Sequence, residues 1–211
     1  NPMTFLIFLI ACATIPKMPG STRPVGREAY VRQATTTAVG IDAALGANYY
    51  LRHRPKGFRD DCSGFVCASY DRAGVPMNGT VASLWDIAKK NRYTHKRKRP
   101  RIGDLVFFDD THDRNKDGKL NDDLTHIGIV LSVDDYGTIT LAHSGTSKGR
   151  TTMKMNLYHP ATQQTESGRE LNSFLRRKTK SDRRNTKYLS GELFRGFATV
   201  KREDAPNWAA N

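Results

Sequence analysis

Two apolar segments separated by a short polar turn constrain this chain more than any other feature. His126-Ile127-Gly128-Ile129-Val130-Leu131-Ser132-Val133 reads as a buried strand, and Asp134 to Gly137 as a turn. Thr138-Ile139-Thr140-Leu141-Ala142-His143 reads as the returning strand, alternating polar and apolar. Pairing Val133 with Thr138 puts Gly128 opposite His143. Residues two apart share a sheet face, so His126 lies on the face of Gly128 and becomes a diagonal neighbour of His143. Gly128 has no side chain to crowd the two imidazoles. The local pattern alone brings two histidines together on one face of an antiparallel pair.

A cysteine nucleophile needs such a pair, and Arg59-Asp60-Asp61-Cys62-Ser63-Gly64-Phe65-Val66 supplies the cysteine. The stretch reads as a helix start with Asp61 as N-cap. Cys62 in the first turn faces the positive end of the helix dipole, which is expected to lower its pKa. Phe65, Val66, Ser69 and Ala73 fall on one helical face and can pack the helix onto a sheet. In this reading His126 takes the thiol proton, giving a thiolate–imidazolium pair, and His143 orients the His126 ring. Cys67 lies about 140° around the helix from Cys62 and reads as a small core residue. His53, His95, His112 and His159 read as ordinary surface or core residues. Cys62, His126 and His143 lack the compact spacing and the fourth partner of a zinc site.

A length of 211 residues suits one catalytic domain with additions, and a formal net charge of +13 draws the chain to polyanions. The most basic run, Lys89 to Arg101, carries no nucleic-acid reader motif. It reads as a solvated loop touching an anionic surface, and no nucleic-acid partner is expected. A helix is expected over Arg27–Leu45, closed by Gly46 as C-cap, and a later one over Val81–Lys90. Gly103–Phe108 reads as a buried strand and Glu192–Val200 as the last one. The stretch from Gly149 to Arg184 reads as irregular, with a short helix near Arg169–Arg177.

Thr4 to Ala11 is apolar but too short to span a bilayer, which fits the core of a signal peptide. Leu9-Ile10-Ala11-Cys12 resembles a bacterial lipobox. That resemblance implies a signal peptide over 1–11, cleavage before Cys12, lipid attachment to its sulfur and a tether over 12–26. Ala13 in place of Asp implies an outer-membrane anchor facing the periplasm. The domain then covers 27–200, with an insertion over 109–124 and a polar tail over 201–211.

Several segments resemble, in order, the NlpC/P60 family of bacterial cell-wall cysteine peptidases. They are Leu45-Gly46-Ala47-Asn48-Tyr49, Asp61-Cys62-Ser63-Gly64-Phe65-Val66, Gly103-Asp104-Leu105-Val106-Phe107-Phe108, His126-Ile127-Gly128-Ile129-Val130 and Leu141-Ala142-His143-Ser144. The resemblance implies a papain-like α+β fold, with the nucleophile helix packed on an antiparallel sheet. It implies hydrolysis of peptidoglycan stem peptides, commonly between D-glutamate and the diamino acid. It assigns Cys62 as nucleophile, His126 as base and His143 as the orienting residue, with backbone N–H groups near Cys62 in the oxyanion hole. It implies that Tyr49, Asp61 and Ser63 hold the terminal amine of a free-ended stem. One departure is Tyr50-Leu51-Arg52-His53 where the family has Trp-Gly-Gly, which changes a wall of the cleft. The chain is expected to act as a monomer in the cell envelope. A muramoyl–L-alanine amidase is the near alternative. A non-catalytic wall-binding lipoprotein is a further one, which the intact Cys62, His126 and His143 argue against.

The other departure is the insertion. Asp113-Arg114-Asn115-Lys116-Asp117-Gly118-Lys119-Leu120-Asn121 matches the first nine positions of an EF-hand-type calcium loop. Asp113, Asn115 and Asp117 supply oxygens, Gly118 the sharp turn and Lys119 a backbone carbonyl. Position twelve is Leu124, so Asp122, or Asp123, Asp109 or Asp110, is expected to supply the missing carboxylate. The chemistry needs no cofactor. Calcium is expected only as a structural ion pinning the segment that leads into His126.

Overall fold

The structure is a computed structural model and describes residues 37–119, 121–145, 149–180 and 182–209. The expected signal peptide, Cys12, the tether and the first turns of the helix from Arg27 lie outside the described residues, as does Leu120.

Helix α1 spans Ala38–Tyr50, with the Thr37 hydroxyl accepting from the Gly40 amide at 3.0 Å. It runs through Gly46, which is not a C-cap. A Cβ there would lie 2.7 Å from the Ser69 carbonyl oxygen. Gly46 is where α1 crosses the next helix, so its missing side chain serves close approach rather than a left-handed turn. That next helix, α2, spans Cys62–Arg72 and is capped by Asp61, which accepts from the Gly64 amide at 2.8 Å. A side chain at Gly64 would run into the Arg59 backbone, which folds back over the first turn. Helix α3, Val81–Lys90, opens on a reciprocal capping box between Thr80 and Ser83.

The strands are β1 (Thr94–His95), β2 (Leu105–Phe108), β3 (His126–Val133), β4 (Thr138–Gly145), β5 (Gly149–Asn156) and β6 (Phe194–Ala198). They form one antiparallel sheet in the order β1-β6-β2-β3-β4-β5. With the helices this is the α+β architecture expected from the sequence. Leu105, Phe107, Ile127, Ile129 and Ala142 pack against α1 and α2 on one face. Val106, Phe108, Val130, Leu141 and Met155 form a second core on the other. Leu157, Leu175 and Leu193 cover that second face, so the segment after β5 is part of the fold rather than a loose connection.

Three elements differ from expectation. Strand β5 forms in a stretch expected to be irregular. It is an edge strand whose first half faces solvent, so it shows no clean apolar alternation. The helix expected near Arg169–Arg177 is replaced by β-bridges, Gln164 to Glu170 and Phe174 to Leu189. Its centre, Asn172, is fully buried and ties the loop together. Its Oδ1 accepts from the Asn156 amide, and its Nδ2 donates to the His159 and Thr162 carbonyls, each at 2.8 Å. Such side-chain bonds to backbone compete with a helix. The tail is not loose either: a 3₁₀ turn at Arg202–Asp204 leads into α4, Ala205–Ala209. Trp208 of α4 is fully buried against Tyr93, ring centroids 5.8 Å apart.

The β3–β4 hairpin corrects the register argument in an instructive way. Val133 pairs with Ile139, not Thr138, and Ser132 with Thr140; a bulge at Leu131 then shifts the ladder, so Val130 meets Leu141 and Ile129 meets Ala142. The expected pairing is off by one at the turn and holds beyond the bulge, where the histidines are.

Because Trp208 fills space beside α3, Trp208→Ala is expected to cost about 3–5 kcal/mol in urea unfolding. A loss below about 1 kcal/mol would mean that the tail contributes little to the core.

Candidate active site

Cys62 opens α2, and the Ile127 backbone N–H is directed at its sulfur, so the thiol sits against the start of β3. His126 is the first residue of β3, and His143 lies diagonally across on β4. Their rings meet edge to face, centroids 5.0 Å apart, with His126 Nε2 and His143 Nδ1 at 2.9 Å. A Cβ at Gly128 would lie 2.9 Å from the Ala142 carbonyl oxygen and 3.4 Å from the His143 Cβ, so the close backbone of β4 explains the glycine opposite His143. With Nε2 engaged, Nδ1 is the nitrogen of His126 left to exchange a proton with a thiol. Cys62, His126 and His143 line one open cavity of about 870 Å³.

Residues 53–145 match the CHAP domain. This is a cysteine peptidase and amidase domain related to NlpC/P60, so the resemblance read in the sequence holds. The protein is thus a cysteine-dependent hydrolase of peptidoglycan, an amidase or an endopeptidase. No curated protein and no solved structure matches the chain. The CHAP match takes in α2, α3 and β1 to β4. It leaves out α1, which packs against α2, β5, which extends the sheet beside β4, and β6, which lies between β1 and β2.

Electrostatics in the CHAP cleft run against one expectation. Burial pushes the Cys62 thiol up to about 11, with a further upward push from the Asp61 carboxylate; the Ile127 and Ser63 amides only partly offset them. The start of α2 therefore does not lower the thiol pKa, because desolvation of a thiolate outweighs the pull of a helix end. His126 is held well below the usual histidine range, first by burial and then by His143 and His112. Both shifts favour a neutral thiol and a neutral imidazole over the expected ion pair. Burial also acts to raise Asp61, but the Gly64 amide, the Ser63 hydroxyl and Arg59 together hold it below its ordinary value.

The amine-holding trio is only partly assembled. Asp61 and Ser63 line the cavity; Tyr49 does not. Its ring is 40% exposed, stacked on His53 at 3.9 Å, with the Arg72 guanidinium 4.3 Å from the ring centroid. His53 comes from the segment that replaces the family's Trp-Gly-Gly, so this departure is what engages Tyr49 elsewhere. Asp61 is also occupied: it accepts from Ser63 Oγ and the Gly64 amide, each at 2.8 Å, and pairs with Arg59.

His112 was read as an ordinary histidine, yet it lines the cavity close enough to act on His126. Gln163, Glu170, Ser173 and Phe174 form a further wall from the segment after β5. His112 was visible as the one histidine inside the insertion, whereas that wall left no periodic signal.

The proposed cation ligands do not converge as a set. Asp113 accepts from the Asp117 and Gly118 amides at 3.2 and 2.9 Å, Asn115 from the Asp117 amide at 3.0 Å, and Asp117 from the Lys119 amide at 2.9 Å. Asp122 is buried and accepts from the Arg114 amide at 3.1 Å. The other candidates are engaged too: Asp109 and Asp123 pair with Arg195, at 3.0 and 3.1 Å, and Asp110 accepts from the Asp122 amide at 2.7 Å. Among the described residues no group of three or more His, Cys, Asp or Glu side chains is placed to hold a metal ion.

A thiol raised to about 11 has a thiolate fraction that grows tenfold per pH unit below that value. Iodoacetamide labelling of the Cys62 peptide, followed by mass spectrometry, is therefore expected to rise steadily from pH 7 to 10. A rate plateau between pH 6 and 8 would instead reveal a standing thiolate–imidazolium pair.

Proposed function

We propose that the protein is a peptidoglycan endopeptidase that cleaves stem peptides between D-glutamate and the diamino acid. The observation that carries the reading is the buried His126–His143 bond in the same cavity as Cys62. Cys62 Sγ attacks the scissile carbonyl as its proton moves to His126 Nδ1, and His143 holds the imidazole through Nε2. The developing oxyanion lies at the start of α2, where the Cys62 and Ser63 backbone N–H groups already face the sulfur. His126 then gives its proton to the leaving amine, and a thioester forms on Cys62. A water, deprotonated by His126, cleaves the thioester and returns the free thiol. Arg59 and Arg114 line the same cavity and suit the carboxylates of a stem peptide.

A second reading, a muramoyl–L-alanine amidase, is favoured by the position of Tyr49. With that ring stacked outside the cleft, a free stem amine loses one of its expected partners. The envelope location and a lipid anchor at Cys12 belong to the same proposal and rest on the lipobox-like N-terminus; action as a single chain is proposed with them. A structural calcium ion at Asp113, Asn115, Asp117, the Lys119 carbonyl and Asp122 belongs to the proposal on the calcium-loop spacing of the insertion alone.

Wild-type protein incubated with defined muropeptides is expected to give fragments cut at the D-glutamyl bond, identified by mass, and Cys62→Ala none. Release of intact stems would establish the amidase, and no cleavage by either protein would sink the enzyme reading. For the metal, millimolar calcium is expected to raise the melting temperature over that in chelator. Equal temperatures would remove the ion from the proposal.

A further inference from the structure

A second cavity, of about 210 Å³, opens beside the catalytic one, and Thr111 and His112 line both. Its far wall comes from the segment after β5 and carries Arg176, Arg177 and Arg183. Two carboxylates, Asp113 and Asp182, also face it, but local donors already engage both. Asp113 accepts from two amides of its own loop. Asp182 accepts from the amide and hydroxyl of Thr179, each at 2.7 Å, and from the Tyr188 hydroxyl at 2.9 Å. Among the arginines, Arg176 gives one nitrogen to the Asp110 carbonyl at 2.6 Å. Each guanidinium carries five N–H donors in a planar fork that matches a carboxylate. Three forks facing two engaged carboxylates leave the cavity with surplus positive charge and surplus donors, in a concave site continuous with the cleft. Arg176, Arg177 and Arg183 lie outside residues 53–145, so this wall is an addition to the CHAP domain.

We infer that this cavity is a subsite for a carboxylate of the stem peptide held in the cleft, with Arg177 and Arg183 as the recognising groups. The inference rests on the reading of the cleft as a peptidoglycan-hydrolysing site. A stem peptide keeps free carboxylates close to its scissile amide, so one substrate can occupy both cavities across the shared wall at His112. Bidentate guanidinium contacts distinguish a carboxylate from the amide that replaces it when a stem is amidated.

Binding is measured on Cys62→Ala protein, so that the ligand is not consumed. The probes are a muropeptide with free D-glutamate and diamino acid carboxylates and the same muropeptide amidated at those positions. The free-acid form is expected to bind about tenfold tighter, and adding Arg177→Gln with Arg183→Gln is expected to bring the ratio to about one. Should that protein fail to fold, Arg183→Gln alone, at an exposed position, is expected to cut the ratio to about threefold. A ratio near one before the arginines are changed, or a tenfold ratio that survives their change, overturns the subsite. Equal cleavage of both forms by the wild-type protein sinks the subsite and leaves the hydrolase reading standing. Discrimination in binding with no cleavage does the reverse, and no binding of either form overturns both.

Discussion

A hydrogen bond between two buried imidazoles tolerates almost no error in strand register. The 2.9 Å bond between His126 and His143 exists because β3 and β4 present both side chains to the same face with only Gly128 between. The turn by itself would not give this. Asp134 accepts from the Tyr136 and Thr138 amides, closing a turn that pairs Val133 with Ile139. Continued without interruption, that ladder would set His143 opposite Ile129, whose side chain faces the helices. A one-residue slip moves every side chain of a strand to the other face. The extra residue at Leu131 absorbs the slip. The His126–His143 pair therefore depends on a bulge at Leu131, and the layers on both faces of the sheet fix which register is allowed.

The burial that makes this bond firm also sets the chemistry. Burial disfavours both a charged imidazole and a thiolate here, which favours keeping the proton on sulfur at rest. The helix end, which by itself favours a thiolate, is countered by its own N-cap, since the Asp61 carboxylate raises the neighbouring thiol. Asp61 is itself held ionised by Gly64, Ser63 and Arg59. The site thus keeps a permanent negative charge beside the nucleophile and withholds a second one. In the proposed reaction, charge separation belongs to the attack on a carbonyl, when the oxyanion meets the amides at the start of α2. His112 adds to the same balance, because it disfavours a positive His126 from across the cleft.

The parts of this protein that were legible in its sequence are those fixed by local chemistry. Asp61 and Gly64 announce a helix start, Thr80 and Ser83 another, and the alternation through β3 and β4 announces a hairpin that carries both histidines. What was misread depends on contacts distant in sequence. Gly46 has the spacing of a C-cap, but it is a crossing point because Ser69 lies against it. Tyr49 stands at a family position, but its neighbour His53 and the distant Arg72 hold its ring outside the cleft. The acidic insertion has calcium-loop spacing, yet its flanking carboxylates serve Arg195, Arg114 and backbone amides. Spacing reports which atoms can meet and leaves open which competing partner is nearer.

The largest illegible stretch, between β5 and β6, also shapes the substrate's surroundings. It lacks periodicity because buried polar side chains rather than a repeating backbone ladder hold it. Asn172 bonds to three backbone groups, and Ser190 Oγ donates to the Lys154 carbonyl at 2.6 Å. Held this way, one face of the stretch lends Leu157 and Leu175 to the second core. Another turns Gln163, Glu170 and Phe174 into the catalytic cavity. Farther along, it sets three arginines around the adjoining one. A wall built from such a segment can change its side chains without disturbing β3 and β4, which hold the His126–His143 bond. The division is physical: strand register constrains the His126–His143 pair, and a polar-stapled loop is free to vary the side chains that line the rest of the cavity.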